Sequence, residues 1–222
     1  MKKLFSMLLA LTMAVSLAAC GAGTAGDPQE SQPGSAPSVS EPPASTEPEP
    51  TPAPTEETPS EEATPSTLVA YFSATGNTEG VAEHLQAILD ADLYEIVPAE
   101  PYSDDDLNYN VSDCRANREQ NDPDARPAVD GTVENMDGYD VIFLGYPIWW
   151  GEAPRIISTF LESYDFSGKT IVPFCTSASS GMGGSAENLA ALAADTAWLE
   201  GARFAPGTSQ EEVAAWVDGL GL

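Results

Sequence analysis

The chain has 222 residues, with 35 acids against 8 bases and a formal net charge of −27 at neutral pH. Such a balance argues against nucleic acid and anionic lipid headgroups as partners, since both would be repelled. A single histidine and three cysteines without CxxC spacing leave no convincing zinc site and no Cys-His or Ser-His nucleophile pair.

Residues 1–19 read as a targeting segment. Lys2 and Lys3 precede an apolar run, Leu4 to Ala19, too short for a comfortable membrane span. The run ends in Leu17-Ala18-Ala19-Cys20-Gly21, which resembles a bacterial lipoprotein signal. In such signals cleavage falls just before the cysteine, which is lipidated and becomes the new N-terminus. The resemblance implies a lipid anchor at Cys20 and a protein tethered to the cell membrane on its extracytoplasmic face.

Residues 20–66 form a tether of Pro, Ser, Thr, Glu, Ala and Gly after the anchoring cysteine, with no aromatic residue and with Val39 as the only large aliphatic. Such a composition buries too little apolar surface to offset its conformational entropy and is expected to stay disordered. As polyproline II it would reach at most about 140 Å. Residues 67–222 suit one domain. Here 26 acids face only Arg115, Arg118, Arg126, Arg155, Lys169 and Arg203, a net charge of −20. That charge favours solubility and allows a basic protein partner.

The domain opens with the apolar run Leu68-Val69-Ala70-Tyr71-Phe72, short enough for a buried strand. Ser73-Ala74-Thr75-Gly76-Asn77-Thr78 follows, and then a helical pattern with Val81, Leu85, Ile88 and Leu89 on one face. A strand, a hydroxyl-rich turn with glycine and a helix start make an anion site, because unpaired amides and the positive helix end point outward. There is no Gly-Lys-Ser/Thr and no Gly-x-Gly-x-x-Gly, so neither a Walker A loop nor a dinucleotide fingerprint is present. The bland reading is an ordinary strand-to-helix turn. His84 falls between Val81 and Leu85 and reads as a surface or boundary residue.

Leu93 to Val97 alternates as a strand, closed by Pro98, and a long polar stretch runs from Ala99 to Asp137. A short helix near 112–121 is expected there, with Ser112 and Asp113 as good N-caps. Loops of this length inside a domain are commonly functional. Arg115 and Arg118 would share a helix face, where they could meet an anion or a flavin edge, though such arginines more often pair with nearby carboxylates.

Asp140 to Gly145 is the clearest buried strand, running into Tyr146-Pro147-Ile148-Trp149-Trp150-Gly151 and a helix near 154–164. Thr170 to Thr176 is another, leading to Ser177-Ala178-Ser179-Ser180-Gly181-Met182-Gly183-Gly184 and a helix near 185–194. A last short strand around 198–204 precedes a helix from Ser209, where Thr208 and Glu211 have capping-box spacing. Cys114 and Cys175 could pair, but their spacing does not require it.

Strands alternating with helices predict a parallel sheet covered on both faces, with ligands bound beyond the carboxyl ends of the strands. The three unusual loops all follow strands and so share one rim. The first can hold a phosphate. The second offers tryptophans on a proline-stiffened turn as a flat wall for a planar ring, or simply core packing. The third lets backbone amides approach a heterocycle's edge. Phosphate, tricyclic ring and polar ring edge together describe FMN.

The Ser-x-Thr-Gly-Asn-Thr turn resembles the FMN phosphate loop of the flavodoxin family, and the likeness extends over Leu68 to Leu222. It implies a doubly wound five-stranded parallel sheet of order 2-1-3-4-5 with helices on both faces. It also implies FMN as cofactor, held by Ser73, Thr75, Gly76, Asn77 and Thr78 around the phosphate. Pro147, Ile148, Trp149, Trp150 and Gly151, with Thr176, Ser177, Ser179, Gly181, Met182 and Gly183, would flank the ring. Two features depart from the family pattern: no aromatic in the third loop, and a long irregular region between the second and third strands. The implied function is electron transfer with a redox partner protein or a small acceptor. An NAD(P)H-dependent quinone- or nitro-type reductase, and a non-redox binding module on the same fold, are the alternatives. There is no obvious basic cluster for a nicotinamide cofactor's phosphates, and oligomeric state is left open.

Overall fold

The computed structural model describes residues 66–222. The signal segment, Cys20 and nearly all of the tether lie outside the described residues. From its start the domain runs β1 (Thr67–Tyr71), α1 (Asn77–Leu89), β2 (Asp92–Glu95), β3 (Val97–Pro98), α2 (Arg115–Asn121) and β4 (Val129–Asp130). It continues through β5 (Val141–Pro147), α3 (Arg155–Glu162), β6 (Thr170–Thr176), α4 (Ser185–Ala190), β7 (Ala197–Trp198), β8 (Ala202–Phe204) and α5 (Gln210–Asp218).

The main sheet has the order β2-β1-β5-β6, with β7 and β8 both on the far edge of β6, and every pairing in it is parallel. Counting β7 and β8 as one interrupted edge strand, this is the expected 2-1-3-4-5 arrangement. The interruption falls opposite Pro173, which has no amide hydrogen to give a neighbour, and an added Cβ at Gly201 would lie 2.4 Å from the Pro173 carbonyl oxygen.

Strand alternation divides the core into two layers. Leu68, Ala70, Phe72, Ile142, Leu144 and Tyr146 pack with Ile156, Ile157, Phe160 and Leu161 of α3. Val69, Tyr71, Phe143, Val172 and Phe174 face the other way, against Val81 and Leu85 of α1 and Val213 of α5. Complete burial of each such Leu, Ile or Val contributes about 1.5–3 kcal/mol. Gly145 is set by this packing: a Cβ there would come within 2.2 Å of the Phe174 ring, its partner across the β5–β6 pair.

Several local expectations need correction. The strand at 93–97 ends at Glu95; Ile96 still donates to the Tyr71 carbonyl at 2.6 Å, and the chain then turns away. Val97–Pro98 pairs antiparallel with Val129–Asp130, closing the long polar stretch at its base. The N-cap of α2 is Cys114, without a side-chain cap bond, in place of Ser112 or Asp113. The helix near 185–194 stops at Ala190. The capping box of α5 is Ser209 with Glu212, one residue beyond Thr208 and Glu211, because the Thr208 hydroxyl instead donates to the Ala205 carbonyl at 2.8 Å.

Candidate functional site

The turn after β1 is shaped by its own residues. Phe72 extends the strand by donating to the Gly145 carbonyl at 2.9 Å, and Gly76 reverses the chain at φ +79°. Asn77 Nδ2 donates to Thr75 Oγ1 at 3.0 Å, leaving both residues at the surface. Among the described residues, the amides of positions 75 to 78 find no backbone acceptor, as expected where a helix begins. The Ser73 hydroxyl is buried and has no partner. Thr78 is different. Its buried hydroxyl lies 2.8 Å from that of Thr176, tying the first turn to the head of the third loop.

The second loop is a tight hairpin. Trp149 and Glu152 exchange main-chain hydrogen bonds at 2.9 and 3.0 Å around Trp150 (φ +48°) and Gly151 (φ +85°). Two consecutive residues with positive φ define a type I′ turn, which favours Asn-Gly or Gly-Gly. A tryptophan in the left-handed region costs about 1–2 kcal/mol. The two indoles are used differently. Trp149 turns inward, edge-on to Phe72 at 5.5 Å and to Tyr102 at 5.3 Å. Trp150 is 50% exposed.

This hairpin is gripped from both flanks. Gln120 of α2 donates to the main-chain carbonyls of Trp149 and Ala153, and Asn188 of α4 donates to both Glu152 carboxylate oxygens. A Cβ at Gly183, in the third loop, would sit 3.4 Å from the Gly151 carbonyl oxygen. The third loop therefore abuts the hairpin closely. Its own conformation rests on Ser177, whose amide donates to Phe204 and whose hydroxyl accepts from the amides of Ser179 and Ser180. Ser179, Gly181 and Gly183 are exposed, whereas Met182 turns toward the core.

A cavity of about 420 Å³ opens where these elements meet. Ala74 and Thr75 line it from the first turn, and Pro147 to Trp150 from the second. Its remaining wall comes from the long excursion between β3 and β4, as Leu107, Tyr109 and Ala116. Those three were not singled out from the sequence, where they are scattered apolar residues in a long polar stretch without helical or strand periodicity. Tyr109 is 77% exposed. No third-loop residue lines this cavity, so that loop borders the hairpin and does not complete the wall. A cavity of similar size, about 440 Å³, lies between the β7–β8 segment and the end of α5, with no residue of the three loops in its lining.

The excursion is held down by one cluster. The Tyr102 ring packs on Trp149 and Phe72, its hydroxyl donates to Glu119, and Arg115 pairs with Glu119 at 2.7 Å while lying over the Tyr102 ring at 4.2 Å. Burial first, then the Glu119 contact, holds the Tyr102 phenol well above its ordinary range. Arg115 is thus committed to a carboxylate, and Arg118 lies 3.7 Å from Asp113. Cys114 and Cys175 are both buried and unpaired, and burial pushes the Cys175 thiol up to about 12.

These features define an α/β protein with a cavity at the carboxyl ends of its parallel strands, where ligands bind in such sheets. The flavodoxin family model matches residues 66–220, and the chain belongs to that family. It is 46% identical to a provisionally designated flavoprotein from Bacteroides eggerthii, with a TM-score of 0.68, covering 72% of this chain and 99% of that one. A second such protein, from Bacteroides uniformis, is 41% identical with a TM-score of 0.67, covering 69% and 98%. A flavoprotein from Lactobacillus acidophilus in complex with FMN shares the fold at 24% identity and a TM-score of 0.56, covering 72% and 100%. No curated protein matches the chain.

Proposed function

We propose that this domain binds FMN and acts in electron transfer, carried outside the cytoplasm on a lipid anchor at Cys20. The observation that carries the reading is the meeting of an amide-rich, lysine-free turn and a conformationally strained, half-exposed Trp150 at one cavity. The residues present fit the group. The free amides of positions 75 to 78, the hydroxyls of Ser73 and Thr75 and the Asn77 amide suit a phosphate.

Trp150, with Pro147, Ile148 and Gly151, suits a planar ring. Trp149 lines the same cavity and braces that wall through its contacts with Phe72 and Tyr102. The exposed backbone at Ser179, Gly181 and Gly183, beside Ser177, suits the polar edge of a heterocycle. Thr78 and Thr176 act as a buried strut between loops, and Met182 as packing. When bound, FMN supplies the redox chemistry. The protein supplies shape, a fixed indole and an acid-rich surround, which opposes added negative charge at the site and lowers its potential.

One observation favours a second reading. The apolar wall of Leu107, Tyr109 and Ala116 leaves the cavity suited to a small aromatic substrate, as in an NAD(P)H-dependent quinone- or nitro-type reductase. Titrating the purified chain with FMN tests both readings: a yellow complex with shifted flavin bands is expected. A chain that stays colourless rejects both. Bleaching of the complex by NAD(P)H alone selects the reductase; bleaching only by dithionite or a partner reductase selects the carrier.

A further inference from the structure

We infer that Gln120 is a positioning residue for the ring-binding half of the site: from the end of α2 it grips the Trp149–Glu152 hairpin and fixes where Trp150 points. The purpose rests on the flavin reading above, but the geometry does not. Gln120 Nε2 donates to the Trp149 carbonyl at 2.9 Å and to the Ala153 carbonyl at 3.3 Å. These carbonyls bracket the turn that carries Trp150. Because both partners are acceptors, the amide cannot be reversed without facing oxygen to oxygen.

That orientation has a cost. Gln120 Oε1 is left buried without a partner. Behind it, Arg155 at the start of α3 donates from Nη2 to the Gln120 main-chain carbonyl at 3.0 Å, while its Nε is also buried and unpartnered. Two orphaned polar atoms at one junction are a poor arrangement for stability, and a leucine at position 120 would remove one of them. They are intelligible as the consequence of a two-point hold on main-chain carbonyls. The held segment needs such a hold, because a tryptophan at φ +48° persists only when its surroundings over-determine it.

The opposite flank is anchored less directly. Asn188 reaches the hairpin through the Glu152 side chain, at 3.0 Å to each oxygen, and that side chain has rotamers of its own. Gln120 acts on the backbone itself. It also links the excursion to the ring wall, since the same short helix carries Ala116 into the cavity lining and Glu119 into the Tyr102 cluster.

The test uses the full chain, first without FMN. The near-ultraviolet circular dichroism lost in Trp150→Phe defines the signal of that indole. Gln120→Leu, similar in volume but without a donor, is expected to lose most of that signal while keeping its far-ultraviolet spectrum. FMN affinity should fall on the order of tenfold, through lost preorganisation. Gln120→Asn keeps the amide one methylene short and should fall between the two; it decides the matter if the leucine variant does not fold. An intact Trp150 signal overturns the proposal whether or not the chain takes up FMN. So does a lost signal with unchanged FMN affinity. If the unmodified chain binds no FMN, the flavin reading fails alone and the indole signal still decides the role of Gln120.

Discussion

The turn at Ser73–Thr78 and the hairpin at Trp149–Glu152 lie on the same rim of the sheet but are held in opposite ways. The path of the first is set by its own neighbours (a glycine at φ +79°, an Asn77–Thr75 bond and a helix start directly after a strand), with one distant tie, from Thr78 to Thr176. The second is a strained turn held by parts distant in sequence, namely Gln120, Asn188, and the rings of Phe72 and Tyr102. An anion site made of amides needs only a local chain path. A flat wall at a fixed angle needs an outside brace.

Removing the shared support beneath the hairpin should have the largest effect. Phe72 is 2% exposed and touches both Trp149 and Tyr102. Phe72→Ala is expected to cost about 3–5 kcal/mol in urea unfolding, from lost burial and the cavity left behind. It should also loosen Trp149, seen as a red shift of tryptophan emission. A cost below about 1 kcal/mol would mean that the hairpin does not rest on this ring.

The next effect divides the first turn within itself. Thr78→Val strands the buried Thr176 hydroxyl and should cost about 1–3 kcal/mol. Thr75→Val, at an exposed position, should change stability by less than about 0.5 kcal/mol. Their effects on FMN affinity should run the other way, with Thr75→Val weakening binding directly. Equal stability costs for the two variants would erase the distinction between strut and ligand-facing hydroxyl.

The same contrast explains what the sequence shows and what it hides. β1, β5 and β6 are apolar runs long enough to read directly, and the turn after β1 carries its signal within six residues. The pairing of Val97–Pro98 with Val129–Asp130 has no such signal, because its strands are two residues long and separated by the whole excursion. Leu107, Tyr109 and Ala116 join the cavity only through that path. At α5, Thr208 and Ser209 both stand three residues before a glutamate, and only the bond from Thr208 to the Ala205 carbonyl decides between them. Trp149 and Trp150 are adjacent and identical, so nothing local can say which packs inward. Their separation into a partly buried prop and an exposed wall is a tertiary outcome, as is the commitment of Arg115 to Glu119.

The smallest effect on stability bears most directly on the braced half of the comparison. Trp150→Gly removes a side chain that is 50% exposed from a position at φ +48°, where glycine is at ease. Relief of the left-handed penalty is set against the extra chain entropy of glycine and the loss of the indole's buried half, so stability in urea unfolding should change by less than about 1 kcal/mol. FMN affinity should fall nonetheless, and quenching of bound-flavin fluorescence should diminish, because the wall is gone while the phosphate turn is intact. A bulky residue kept in a strained position with little net benefit to the fold is retained for the site. If Trp150→Gly instead destabilises the chain by more than that, the indole is part of the packing, and the strain at this turn is the by-product of a buried contact.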